Sequence, residues 1–260
     1  MTEITGALCS SGSTTMKGVE DSEIKVRMRC PPPSSSGSAR SRSHQYTFAT
    51  YLKAAWALVL AHNSSGSNAR GSTQKFDVVF GHGVTTRSIA PSSSTDLIVG
   101  PCLDIIPVRV IVPAATPDAI TAGALLHSIH SQHLSGLPHH AYGFSDIVRD
   151  CTNWLSGASS DAKASVNCIS TMVAHHGVEE RPPTIQLQNE VAARGVVKAR
   201  LFGAWDLWVV STVLSESQDG SSEVEISMMY CADTLDEERV RMLMHALVVE
   251  VHRLRLLATL

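Results

Sequence analysis

Val99–Val110 reads VGPCLDIIPVRV, and the reading of these twelve residues decides the fold. Gly100-Pro101 is a turn signal. The apolar run behind it has the length and β-branched content of a strand buried on both faces, interrupted only by Asp104 and Pro107. Proline cannot donate to a sheet ladder, so Pro107 belongs at an edge, a bulge or a strand boundary. Arg109 would be costly to bury unpaired, which makes it an ion-pair member or a strand-end residue before it is a ligand contact. The segment is therefore one strand of an α/β domain.

Working outward, Tyr46–His62 (YTFATYLKAAWALVLAH) reads as an amphipathic helix. Thr47 or Thr50 can cap it, and Leu52, Ala55, Trp56, Val59 and Leu60 share a face. Phe76–Val84 (FDVVFGHGV) is a short buried strand, followed by the polar loop Ser88–Asp96 that leads into the opening segment. Beyond it, Thr116-Pro117-Asp118 starts a helix to Leu134 with Ile120, Ala124, Leu125 and Ile129 on one side. A short helix is expected at Phe144–Asp150, and strands at Met172–Ala174, Leu207–Val213 and Val224–Tyr230. A closing helix follows Thr234, its expected cap, with Asp236 and Glu237 in the first turn and a stripe of Leu243, Leu247 and Val251. Strands alternating with helices of this length predict an α/β fold, a layered mixed sheet flanked by helices. The order weakens before residue 45. Residues 1–45 read as a Ser/Pro-rich linker or junction, apart from a possible short strand at Ile24–Met28, and residues 46–260 as the folded domain.

The whole chain has 260 residues, of which 43% are hydrophobic, enough for one large core or two smaller ones. Its 21 basic and 24 acidic residues leave no strong positive field, so neither nucleic acid nor membrane is an expected partner. The N-terminus has no charged stretch followed by an apolar one, and no run reaches the roughly 18 apolar residues of a membrane span. The expected location is the cytoplasm. Cys9, Cys30, Cys102, Cys151, Cys168 and Cys231 are scattered without a CxxC, the pattern of reduced thiols.

Several of these segments agree, in order, with one family. VGPCLDIIPVRV resembles the VGPCLxxIPVRV signature of fungal nonribosomal peptide synthetase condensation domains. Tyr51–Ala61 is similar to that family's KAAWALVLA helix, Phe76–Ser88 to its DVVFG strand and turn, and Leu137–Ile147 to its PHExxGLxDI segment, with His140 in place of the Glu. Cys151–Ala158 resembles its ECTDWP stretch, Thr171–Gly177 departs from its SxVxHQN, and the WDLWVVS and MMYCADTLDEERV segments match its final strands and helix. The resemblance runs from about Thr47 to Leu257 and covers one lobe. It implies the C-terminal lobe of a chloramphenicol acetyltransferase-like fold, without the N-terminal lobe and its HHxxxDG motif.

Two His-His pairs invite comparison with that motif, and both fail. After His139-His140 the Asp position holds Phe144, and after His175-His176 the Asp and Gly positions hold Glu180 and Arg181. No catalytic residue is therefore assigned. The family's condensation reaction joins an acceptor amine to a donor thioester, and needs positioning and a polar group near the developing charge. The resemblance implies substrates carried on phosphopantetheine arms of carrier proteins through a tunnel between two lobes, with no cofactor bound. Arg87 sits at the family's Arg position, where a guanidinium could pair with the Asp of the missing motif, or else is an ordinary loop residue. His175 and His176 lie near a strand that the family turns to the tunnel, and either line it or stand exposed in solvent. His127, His130 and His133 drift around their helix by about 60° per step, which reads as a solvated face rather than a metal site. No GxSxG, Walker or GxGxxG pattern occurs, so no nucleotide is expected. Two functions follow: half of an amide-forming condensation domain that is inactive alone, or a non-catalytic remnant that docks carrier proteins or serves as a scaffold.

Overall fold

The computed structural model of the chain describes residues 21–30, 46–64, 75–86, 102–113, 118–152, 169–177, 184–187, 191–194 and 205–258. In chain order the elements are β1 (Asp21–Cys30), α1 (Phe48–Ser64), β2 (Lys75–Thr85), β3 (Leu103–Pro113), α2 (Ala119–Gly136), a 3-10 turn (Leu137–His139), α3 (Phe144–Cys151), β4 (Thr171–His176), β5 (Thr184–Leu187), β6 (Val191–Arg194), β7 (Leu207–Glu216), β8 (Ser222–Cys231) and α4 (Glu237–Leu257). Six strands form one mixed sheet in the order β1-β8-β7-β4-β2-β3, and β5 pairs with β6 separately. In the large sheet β4 runs parallel to β2 and β7, and the other neighbours are antiparallel. This is the layered mixed α/β architecture that the sequence predicts.

The opening segment forms β3, and the expected double burial does not hold. Val108, Val110 and Val112 are buried, while Leu103 is 72% and Ile111 49% exposed. The physical reason is layering: alternate residues of β3 face the core, and the others, Leu103, Arg109 and Ile111, stand on the face left uncovered. β3 is also an edge strand, which is what admits Pro107, opposite Gly81, because a missing donor there costs no pairing on the open side.

Helix α1 departs from expectation in the opposite sense. Every residue from Tyr51 to Val59 is buried, Lys53 included at 2% exposure, so the helix has no water face and is not amphipathic. It lies between strands β2, β3 and β4 and helices α2 and α4, and Ala54, Ala55 and Ala57 leave room for that close approach on several sides. Trp56 anchors it, fully buried with its indole N–H donated to Thr171 Oγ1 at 3.2 Å.

Helix α2 starts at Asp118, whose carboxylate accepts the Thr121 N–H at 2.8 Å. Its buried stripe is Ala122, Leu125, Leu126 and Ile129, spaced i, i+3, i+4 and i+7. Ile120, expected on that side, is 82% exposed, and Ala124 is exposed with it, because the stripe is rotated toward Ala122 and Leu126. Helix α4 is capped by Asp236 rather than Thr234, since the Thr234 hydroxyl donates to the Cys231 carbonyl instead. Its stripe holds as expected and extends from Val240 to Leu254. The strand foreseen at Ile24–Met28 is ten residues long and pairs with β8 along its whole length, so part of the expected linker belongs to the sheet. Among the described residues Cys30, Cys102, Cys151 and Cys231 carry free thiols, and no helix is long and apolar enough to cross a membrane.

Candidate functional site

Side chains alternate across a strand, so the register assigns each residue to one of two sheet faces. The inner face carries Phe80, Val173, Val209 and Met228 against the helices. The outer face carries Gly81 and Gly83 of β2, Met172, Ala174 and His176 of β4, Trp208, Val210 and Thr212 of β7, and Met229 of β8. Ion pairs flank this apolar strip. On one side Arg27 and Lys25 meet Glu225, and on the other Arg109 grips Asp77 with Nε at 2.9 Å and Nη2 at 2.7 Å. Arg109 is thus an ion-pair member, as the sequence suggests, but on the exposed side of the edge strand instead of among buried neighbours. That fork holds the Asp77 carboxyl below its usual range through the hydrogen bond from Arg109.

His175 and His176 do not share a surface. As strand neighbours they point to opposite faces, and both are half-buried, not exposed. His175 turns inward, with Nδ1 2.8 Å from Ser211 Oγ and its ring 5.7 Å from that of Phe48. His176 stands on the outer face beside Thr212. Arg87, Gly100 and Pro101 lie outside the described residues.

A polar cluster that sequence reasoning missed lies on the inner face. Lys53 of α1, His82 of β2, His133 of α2 and His139 and His140 of the turn line a half-open cavity of about 170 Å³, together with Ile106, Val108, Ile129, Gln132 and Ile147. The His82 and His133 rings are 5.8 Å apart, and those of His133 and His140 5.4 Å. His82, 5% exposed, donates Nδ1–H to the Val173 carbonyl at 3.1 Å, which fixes its tautomer. Burial pushes its pKa down to about 3, aided by the Lys53 charge. The same causes lower His133 to about 4 and also lower His140, while burial alone brings Lys53 down to about 8. The expected solvated face of α2 therefore splits three ways: His127 is exposed, His130 packs on Tyr46 at 5.5 Å, and His133 turns into the cavity. The drift of about 60° per step that argues against a metal site is what sends the three rings to different surroundings. Two signals pointed to the cluster: a lysine inside the apolar run of α1, and a histidine breaking FDVVFGHGV. Among the described residues no group of three His, Cys, Asp or Glu side chains is arranged to hold a metal ion.

No family model matches the chain. In sequence it is 34% identical over 184 residues to nonribosomal peptide synthetase 4 of Gibberella zeae, a match that covers 71% of this chain and 2% of that protein. A second relative, nonribosomal peptide synthetase dtxS1 of Metarhizium robertsii, is 39% identical over 136 residues, covering 52% of this chain and 1% of that protein. In structure it resembles the starter condensation domain of rhizomide synthetase, with TM-score 0.55 and 16% identity over 92% of this chain and 46% of the other. It also resembles the X-domain solved in complex with OxyB from teicoplanin biosynthesis, with TM-score 0.58 and 15% identity over 91% of this chain and 45% of the other. The chain thus spans 1–2% of these curated relatives and about half of each structural neighbour. In sequence this chain is a relative of fungal nonribosomal peptide synthetases, and in fold it is a condensation-domain lobe, the C-terminal one by the order of its motifs.

Proposed function

We propose that the chain acts as the C-terminal half of an amide-forming condensation domain, completed by an N-terminal lobe that carries HHxxxDG. The observation that carries this reading is one of extent: the fold accounts for nearly all of this chain and for under half of the starter condensation domain it resembles. On this reading aminoacyl or peptidyl thioesters arrive on the phosphopantetheine arms of carrier proteins, and the general base comes from the other lobe. Arg87 is the inter-lobe candidate, its guanidinium paired with the Asp of that motif. His176, on the outer face, is the better placed of the two β4 histidines to meet a partner, because His175 is held inside by Ser211 and Phe48.

The test is direct. Purified chain is mixed with loaded donor and acceptor carrier proteins, with and without a complementary N-terminal lobe, and amide product is followed by mass spectrometry. Product only in the presence of both lobes supports the proposal. Product from the chain alone overturns it.

A second reading, a non-catalytic lobe that docks another protein, draws on the X-domain whose structure was solved as a complex with OxyB. Binding of carrier proteins by the chain, with no product under any lobe combination, would favour it.

A further inference from the structure

The inner cavity is built from groups that the amide-forming role does not use. The Lys53 ammonium, on a residue 2% exposed, is the positive charge of its lining, and the Asp104 carboxylate of β3 lies close enough to His140 to act on it. Two of its ring nitrogens, His133 Nδ1 and His140 Nε2, are buried without a hydrogen-bond partner among the described residues. Native structures rarely leave such atoms unsatisfied. A Cβ at Gly136 would stand in van der Waals contact with His140 Nε2 at 3.8 Å, so the glycine leaves that side of the nitrogen uncovered by side chain. Ile106, Pro107, Val108, Ile129 and Ile147 supply apolar wall, and Gln132 and His139 add polar groups to it.

We propose that this cavity binds a small oxyanion, a phosphate or carboxylate group, held by the Lys53 ammonium and by N–H groups of His133 and His140. With a water occupying about 30 Å³ in the liquid, 170 Å³ accommodates one such group and a few waters. Each neutral imidazole can place its proton on the orphaned nitrogen and donate it to the anion. A divalent cation is the poorer occupant, because Lys53 repels it and the histidines do not form a ligand set among the described residues. The groups facing the site set its pH dependence: Lys53 from α1, His82 from β2, Asp104 from β3, His130 and His133 from α2, and His139 and His140 from the turn. With Lys53 at about 8, affinity is lost as pH rises past that value and the ammonium empties of its proton. Mild acid strengthens binding, because an anion raises the depressed imidazole pKa values and takes up protons.

The experiment uses the full chain. Histidine ring signals are followed by NMR during titration with inorganic phosphate and, separately, sodium acetate, at ionic strength held constant with chloride. The expected result is saturable movement of the His133 and His140 signals with a Kd of about 1 mM or tighter for one or both anions, His252 serving as the distant control. Lys53→Met weakens binding at least about tenfold, and so does a shift to pH 9.5. His140→Phe, on the turn rather than in the core helix, repeats the loss if the lysine variant does not fold. No saturable movement with either anion, equal affinity in both variants, or saturation of the same rings by zinc chloride alone would overturn the proposal. The outcome is independent of amide formation, because no carrier protein takes part.

Discussion

Gly81 and Gly83 stand on the same face of β2, yet a methyl group meets different surroundings at each. A Cβ at Gly81 would lie 3.2 Å from Ile105 Cγ2 and 3.3 Å from Met172 Cγ, so both neighbours must yield. At Gly83 the nearest atom is the Ala174 Cβ at 3.6 Å, an ordinary contact. Gly81→Ala is expected to lose about 1 kcal/mol in urea unfolding through overpacking, while Gly83→Ala holds or gains about 0.5 kcal/mol by restricting the unfolded chain. A single-residue origin also governs behaviour in acid. His82 is neutral in the fold with a pKa near 3, whereas the unfolded chain protonates it near 6.5. Below pH 6.5 the unfolded state therefore holds more protons, and stability falls as pH falls. From pH 7 to 4 the loss from His82 is about 3 kcal/mol. His82→Phe should flatten that part of the profile, and a slope unchanged in the variant would assign the acid loss elsewhere.

At the scale of elements, α1 is where sequence reasoning fell shortest. Periodicity identifies a helix from its apolar positions, but Leu52, Ala55, Trp56 and Val59 look the same whether the opposite side meets water or a second layer. The alanines between them fit either setting, and only the packing of α2 and α4 against α1 reveals that Lys53 is inside. The strands β2, β4, β7 and β8 were legible because their apolar runs are bounded by turn residues. Face and edge were not, because strand order is a property of pairing and not of any one segment. The candidate site divides in the same way. Arg109 announced its need for a partner, whereas the meeting of His82, His133 and His140 comes from three separate elements. For α1 the expectation follows from Lys53, whose folded pKa of about 8 lies below its ordinary 10.5. Between these values the unfolded state holds the extra proton, so stability climbs as pH rises from 8 to 10.5. At pH 7 the buried ammonium costs about 3 kcal/mol by the same linkage, and Lys53→Met should recover much of it in denaturant unfolding. A melting temperature lowered by the substitution would show that Lys53 has a stabilising partner. For β1, a chain begun at Thr47 strips β8 of its neighbour and removes Ile24, Met28 and Cys30 from the core. Such a chain is expected to precipitate or bind thioflavin through the bared β8 edge, and a soluble, cooperatively folding product would show β1 to be dispensable.

On the scale of the whole molecule, the proposed half-domain reading predicts that the chain associates with itself when alone. The half-buried outer-face residues Val210 and Met229 and the open β3 edge are the surfaces to watch. Light scattering is expected to show concentration-dependent association that a complementary lobe suppresses, and a strict monomer at high concentration would favour an autonomous module. The sheet order carries one more consequence, for synthesis of the chain. The first strand finds its partner only in the last, and Arg27 and Glu225, which bridge them, are 198 residues apart. At a ribosomal pace of about 5–20 residues per second, β1 waits on the order of ten seconds or more for β8 to be made. During that interval Ile24, Val26 and Met28 have no native neighbour, and pairings so distant in sequence are the slow ones even after release. The nascent chain is thus a natural client for holding chaperones, and its yield in cells should respond to their supply more than to any substitution in the helices.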